Sequence, residues 1–361
     1  MIVLILLFTI LLIFVAFDFI LFFYEWQARI HIGRWNDRLE WQQAIESKAR
    51  KWLHRPPTVK LKDNNYWVLY DVLRGRYRNK TIQSWQTAGL LMAFDESESA
   101  RCAAQKIDMK TGDWKKNPTH IDEVLLAYIL KKNKVLTPKA EETIFSFLMN
   151  LKGTQETIPY RSTIPNVRFV DAIGMVVPFL FLCGESKLAI KQLEEYDKAK
   201  LTGSNIPSHA YDIVRNVPLG IYDWARGIGW YILGLVESNG NGVFNTRIVS
   251  LAEELLLYQK DEGGFGAMFF NKEITCESSG TALIGLLMVS AYRINSDRRF
   301  LDAAFRAEMQ LMRQTRRTGA IDFCQGDTKG IGCYSTFFSV MPFAQGIALK
   351  FSKELNKYAH R

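Results

Sequence analysis

From Ile2 to Tyr24 the chain is almost wholly apolar, with Asp18 its only strongly polar member. A helix of that length can cross a hydrocarbon core, which takes about 20 residues. Beyond it the pattern becomes amphipathic. A helical stretch runs from about Asp37 to Leu53 and is punctuated by Arg55-Pro56-Pro57. Apolar side chains then recur at three and four spacing in Ile121–Leu130, Ala140–Leu151, Ala172–Cys183, Ala225–Val236, Val249–Tyr258, Thr281–Ile294, Leu301–Met312 and Phe337–Phe351, the period of a helix with one buried face. Asn133, Gly153, Gly184, Gly203, Gly240, Gly263 and Gly326 mark joins. Strand alternation is scarce, and only Phe265–Phe270 suggests a small hairpin. The pattern predicts a membrane anchor over 1–25, a juxtamembrane helical linker over 26–58 and an all-α domain over 59–361. Roughly a dozen helices are expected, arranged as hairpins around a central cavity; a bundle or solenoid would give the same periodicity.

Charge sharpens this picture. The net charge is +9, and much of the excess follows the apolar start, at Arg29, Arg34, Arg38, Lys48, Arg50, Lys51 and Arg55. A second basic group is Arg74, Arg76, Arg78 and Lys80. Basic residues beside a span meet anionic headgroups or follow the positive-inside rule, which places the large domain in the cytoplasm, on a single-pass anchor. No Lys or Arg precedes Arg29 and no small-residue cleavage pattern follows the run, so the segment reads as an uncleaved anchor, not a signal peptide. Nucleic acid is not an expected partner, since no zinc-finger spacing or RNA-binding aromatic motif accompanies the charge. The five cysteines, Cys102, Cys183, Cys276, Cys324 and Cys333, are odd in number and widely spaced. Neither a disulfide framework nor a zinc site is expected from them. Aromatics make up 13% of the chain, enough both to fill a core and to stack on sugars.

Four segments break the amphipathic pattern. In Arg168-Phe169-Val170-Asp171-Ala172-Ile173-Gly174-Met175 one carboxylate stands in an apolar run. Burial would raise its pKa toward that of a general acid; alternatively Asp171 caps the following helix. In Trp224-Ala225-Arg226-Gly227-Ile228-Gly229-Trp230 two indoles flank a guanidinium. Arg226 and Trp230 share a helix face, suited either to clamping and stacking on a sugar acid or to cation–π packing within the fold. His209-Ala210-Tyr211-Asp212 offers a lone histidine in a loop, and Thr119-His120-Ile121-Asp122 reads as a capping box.

These segments, in this order, resemble the unsaturated-uronyl hydrolases of glycoside hydrolase families 88 and 105. The family's aromatic-Asp-Met-Pro-Phe-Leu stretch is matched around Asp171. Its His-Gly-Tyr-Asp piece is matched at His209–Asp212, and Trp-x-Arg-Gly-Asn-Gly-Trp at Trp224–Trp230. Asp261-Glu262-Gly263-Gly264-Phe265 and Glu277-Ser278-Ser279-Gly280-Thr281-Ala282 resemble two further motifs. The likeness spans about Thr119 to Phe351. Phe169 stands where the family usually has Trp, Ile228 where it has Asn, and Ser278 and Gly280 depart from its Glu-Thr-Ser motif.

The resemblance implies an (α/α)6 barrel. It implies an oligosaccharide substrate with an acidic terminal sugar, a 4,5-unsaturated uronic acid, released by enol-ether hydration without metal or organic cofactor. By position Asp171 would be the acid/base and Asp122 the second carboxylate. His209, Arg226, Trp230, Trp224 and Glu277 would bind substrate. Two other readings are open: an inverting glycosidase pairing Asp171 with Glu277 or Asp223, and a membrane-tethered carbohydrate-binding protein on a retired hydrolase fold.

Overall fold

A computed structural model describes residues 1–63, 65–79, 83–153 and 156–359; Lys80 of the second basic group lies outside them. Fourteen helices are present among the described residues. The first, α1 (Ile2–Arg29), has no buried residue and is long and apolar enough to cross a membrane.

Six helices form an inner ring: α4 (Ser84–Leu91), α6 (Asp122–Lys132), α8 (Val170–Leu182), α10 (Ala225–Glu237), α12 (Ser278–Asn295) and α14 (Pro342–Asn356). Each packs on the next, and α14 packs back on α4. Their burial explains this: α10 and α12 are covered around almost the whole circumference, as an inner layer requires. The last joint depends on small residues. A Cβ at Gly346 of α14 would stand 2.0 Å from the Gly89 carbonyl oxygen of α4, so any larger residue would push the two helices apart.

The outer helices are more amphipathic. α5 (Glu96–Lys106) and α7 (Pro138–Leu151) lie on α6, α9 (Ser186–Asp197) on α8, and α11 (Asn245–Leu256) on α10 and α12. α13 (Arg298–Arg313) lies on α12 and α14, and α2 (Arg38–His54) on α14 and α4. Capping fixes several starts: Asp37, Thr137 and Asp297 accept the N–H of Glu40, Ala140 and Arg299.

Two boundaries differ from the sequence reading. α1 continues past residue 25 to Arg29, where an ion pair with Asp322 at 2.8 Å docks its end on the barrel. Residues 38–54 are not a linker. Trp41, Ile45 and Ala49 are fully buried, and α2 completes the outer layer. The hairpin expected at 265–270 is absent, because Gly266 and Met268 make single bridges to Cys276 and Trp224. Short strands occur elsewhere: β1 (Val59–Lys60) with β2 (Arg78–Asn79), β3 (Val167–Phe169) with β4 (Ala210–Asp212) and β5 (Val217–Leu219), and β6 (Cys324–Gln325) with β7 (Phe338–Ser339). A short helix of six residues, α3 (Val68–Leu73), lies between β1 and β2.

At the end of the ring where α10 terminates, Glu237 is buried among Lys132 (2.6 Å), Lys350 (2.5 Å) and the Tyr128 hydroxyl (2.6 Å). Burial pushes its carboxyl up, but the two ammonium groups outweigh that and hold it below the usual carboxylate range. Glu237→Gln leaves Lys350 buried without its counter-ion. The expected loss is about 3–5 kcal/mol of stability, read as a lower midpoint in chemical unfolding.

Candidate active site

The N-termini of the inner helices meet at the opposite end and enclose a cavity of about 400 Å³, within the range of small-molecule sites. Trp85 of α4, Asp122 of α6, Asp171 and Met175 of α8, and Arg226 and Trp230 of α10 line it. The β6–β7 loop covers one side with Asp327, Lys329 and Ile331, and Tyr160 and Arg161 stand at another.

Strand register brings the central pair together. Phe169 pairs with Ala210 across β3 and β4, and the Val170 N–H bonds the His209 carbonyl at 3.0 Å. The next residue is Asp171, whose Oδ2 lies 3.7 Å from His209 Nε2. Asp171 does not cap α8. Phe169 holds the cap position, and the Asp171 Oδ2 is buried with no hydrogen-bond partner. Burial, with added repulsion from Asp122 and Asp327, pushes its carboxyl up to about 7, against the opposing pull of Arg226. His209 does not counteract this. Burial, helped by Arg226, lowers its pKa to about 4, so the ring is neutral near pH 7 and forms no ion pair. Its Nδ1 meets the Tyr334 hydroxyl at 2.9 Å, and its ring lies 4.6 Å from that of Trp224.

Asp122 likewise differs from its expected capping role. The reciprocal bond at the start of α6 comes from Glu123, which accepts the His120 N–H at 2.9 Å. The Asp122 carboxylate is thereby free to face the cavity, where it accepts the Tyr160 hydroxyl at 3.1 Å. Burial raises it to about 6 despite that bond.

Arg226 is more committed than a free clamp would be. It donates at 2.6 Å to the carbonyls of both Gln325 and Gly326, tying α10 to the loop that carries Asp327. Trp230 packs between Trp85 and Phe343, with ring centroids at 5.8 and 4.7 Å, and forms part of the cavity wall. Trp224 lines the cavity and donates its indole N–H to Gln325 Oε1 at 2.9 Å.

Glu277 stands apart from the cavity, which corrects its expected place in the substrate site. It is fully buried and caps α12, accepting the N–H of Ser279 (3.1 Å) and Gly280 (2.6 Å). It also takes the Gln325 N–H at 3.0 Å. Its acceptors are consumed in bracing the β6–β7 loop from behind. Asp223, the other suggested partner, accepts the Phe270 N–H at 3.2 Å and does not line the cavity. Asp327 was not singled out from the sequence. It lines the cavity, and burial holds its carboxyl above the usual range against the pull of Arg226 and Lys329. The only signal was its place after Gly326 in a turn-rich join.

The sequence matches no protein-family model and no curated protein. Solved structures do resemble it. A possible member of glycoside hydrolase family 105 from Klebsiella pneumoniae superposes with a TM-score of 0.67 at 16% identity, over 90% of this chain and 95% of that one. A family 88 glycosyl hydrolase from Bacteroides vulgatus gives 0.60 at 16%, over 88% and 97%. The unsaturated glucuronyl hydrolase of Bacillus sp. GL1, described as responsible for glycosaminoglycan degradation, gives 0.61 at 16%, over 89% and 97%. The chain therefore has the helical fold of the structures from glycoside hydrolase families 88 and 105.

Proposed function

We propose that this protein is a glycoside hydrolase that releases a 4,5-unsaturated uronic acid from the non-reducing end of an oligosaccharide by hydrating its enol ether. The carrying observation is Asp171: a carboxyl in a cavity, with an unpartnered Oδ2 and a pKa near 7. Such a group is protonated often enough at neutral pH to act as an acid and, once ionised, basic enough to act in reverse. Asp171 gives its proton to C4. Positive charge develops at C5, shared with the ring oxygen. Water adds to C5 and its proton passes to the Asp171 carboxylate. The hemiketal then opens and the remaining sugar leaves. The nearby anions of Asp122 and Asp327 favour the cationic transition state.

Arg226 has its forks occupied by backbone, so the positive charge for the uronate carboxylate is assigned to Arg161, exposed at the rim. Trp224 and His209 offer a ring surface for the sugar. α1 holds the enzyme in a membrane, with Arg29, Arg34 and Arg38 placing the barrel on the cytoplasmic side.

The test uses full-length protein in mild detergent and lyase-derived disaccharides, following the ultraviolet absorbance of the conjugated uronate. Loss of absorbance with release of the second sugar is expected. A second reading, inverting hydrolysis of saturated glycosides, is favoured by the other two carboxyls in the cavity, one of which could activate water. That chemistry needs carboxyls roughly 6.5–9.5 Å apart. Turnover of saturated glycosides with unsaturated ones untouched would select it. A folded protein that binds both and turns over neither would leave the binding-protein reading.

A further inference from the structure

The polar residue in the apolar α1 helix has a partner in the structure. Asp18 Oδ2 accepts the Trp67 N–H at 2.7 Å and Oδ1 the Val68 N–H at 2.9 Å, so its carboxylate satisfies the first turn of α3. The Trp67 ring lies 5.4 Å from Phe14 on the same helix. α3 is thus fixed against α1 within its apolar run, while Phe22, Tyr24 and Trp26 remain exposed further along. At 1.5 Å per residue, Asp18 is about 9 Å short of Tyr24. An interfacial helix sits about 5–10 Å into the boundary between headgroups and acyl chains.

The free side of α3 suits that depth. Trp67 is 55% exposed, Tyr70 49% and Leu73 73%. Directly after them come Arg74, Arg76 and Arg78, all exposed, and Arg74 bonds the Tyr70 hydroxyl at 2.6 Å. An apolar and aromatic face bordered by arginines complements an anionic bilayer surface. The segment also connects to the cavity. Lys62 pairs with Asp71 of α3 at 2.5 Å, Asp63 accepts the Ser335 hydroxyl at 2.8 Å, and Lys329 donates to the Leu61 carbonyl at 2.6 Å.

We propose that α3 and the following arginines form a second membrane contact, which enters the headgroup layer of anionic lipid beside α1 and holds the cavity end of the barrel at the bilayer surface. This rests on the reading of α1 as a membrane anchor, and its test separates the two.

Full-length protein carrying Cys183→Ser and Cys333→Ser receives one environment-sensitive fluorophore at Leu73→Cys, Ile10→Cys or Asp302→Cys. Each variant is reconstituted in phosphatidylcholine vesicles with or without phosphatidylglycerol, and with lipids brominated near the headgroup or deep in the chain. The expected result at 73 is a blue-shifted emission, quenched by shallow bromolipid and enhanced by phosphatidylglycerol, with position 302 remaining wet. Changing Arg74, Arg76 and Arg78 to Gln should remove the phosphatidylglycerol dependence. A wet probe at 10 would overturn the anchor itself. A quenched probe at 10 with an unquenched one at 73 in both vesicles would overturn the α3 contact alone and leave that face for a protein partner.

Discussion

Asp171→Asn lowers turnover by roughly 10²–10⁴-fold, the usual contribution of a general acid or base, and makes the folded protein more stable above pH 7. The two effects share one cause. Asparagine nearly matches the shape of the acid but has no proton to give to C4 and no carboxylate to receive one from water. In the wild type the carboxyl rises from 3.8 to about 7 on folding. A group raised in this way contributes stability that is fully present below about pH 4 and lost as pH rises through about 7. The ionised form is the costly one, because Oδ2 is buried without a partner and the side chain is only 18% exposed. Removing the charge should return on the order of 4 kcal/mol at pH 8 and almost nothing at pH 4. Denaturant unfolding at both pH values, beside the absorbance assay, checks the pair. Lost activity with equal or lower stability at pH 8 would mean that Asp171 ionises without strain, and would count against it as the acid.

That opposition between activity and stability also shows which parts of the molecule its sequence discloses. Helices with one wet face are legible from their period, as in Leu301–Met312, which falls inside α13. α4 was missed because it has little stripe to find. Trp85, Gln86, Ala88, Gly89, Leu90 and Leu91 are all buried, so apolar residues surround a short helix in place of marking one side. α5 and α9 were missed for the opposite reason, being largely polar outer helices held by neighbours. α14 starts at Pro342 and not Phe337, since Phe338–Ser339 pair with β6. In the cavity, Asp171 was legible as a lone carboxylate in an apolar run. Asp122 was legible only through resemblance, since its local pattern reads as a cap until Glu123 takes part of that work. Glu277 misled because a motif gives proximity along the chain and not direction: its carboxylate points into backbone N–H groups behind the site. Asp327 had only its place after Gly326 in a turn-rich join. Its position depends on Arg226 holding the carbonyls of Gln325 and Gly326, about a hundred residues away along the chain.

Asp122→Asn tests how that arrangement sets the working pH. With Asp122 at about 6 and Asp171 at about 7, the form carrying an ionised Asp122 and a protonated Asp171 is most populated between those values. There kcat/KM of the wild type should peak, declining on the alkaline side as Asp171 loses its proton. The Asp122 anion raises Asp171; the neutral amide removes that repulsion, so Asp171 ionises at lower pH and the alkaline limb moves toward acid. Less of the protonated acid then remains above pH 7, and kcat/KM there should fall severalfold. The amide oxygen can still accept the Tyr160 hydroxyl, so the helix start and the cavity wall should survive. The acid limb, if it reports ionisation of Asp122, should flatten. A purely binding role for Asp122 makes a different forecast: KM rises at every pH and both limbs remain where they were. Asp327→Asn offers an internal comparison, since its charge acts on Asp171 in the same direction without the Tyr160 bond. A parallel acid shift in both variants would identify charge, and not shape, as what the second and third carboxyls supply to the first.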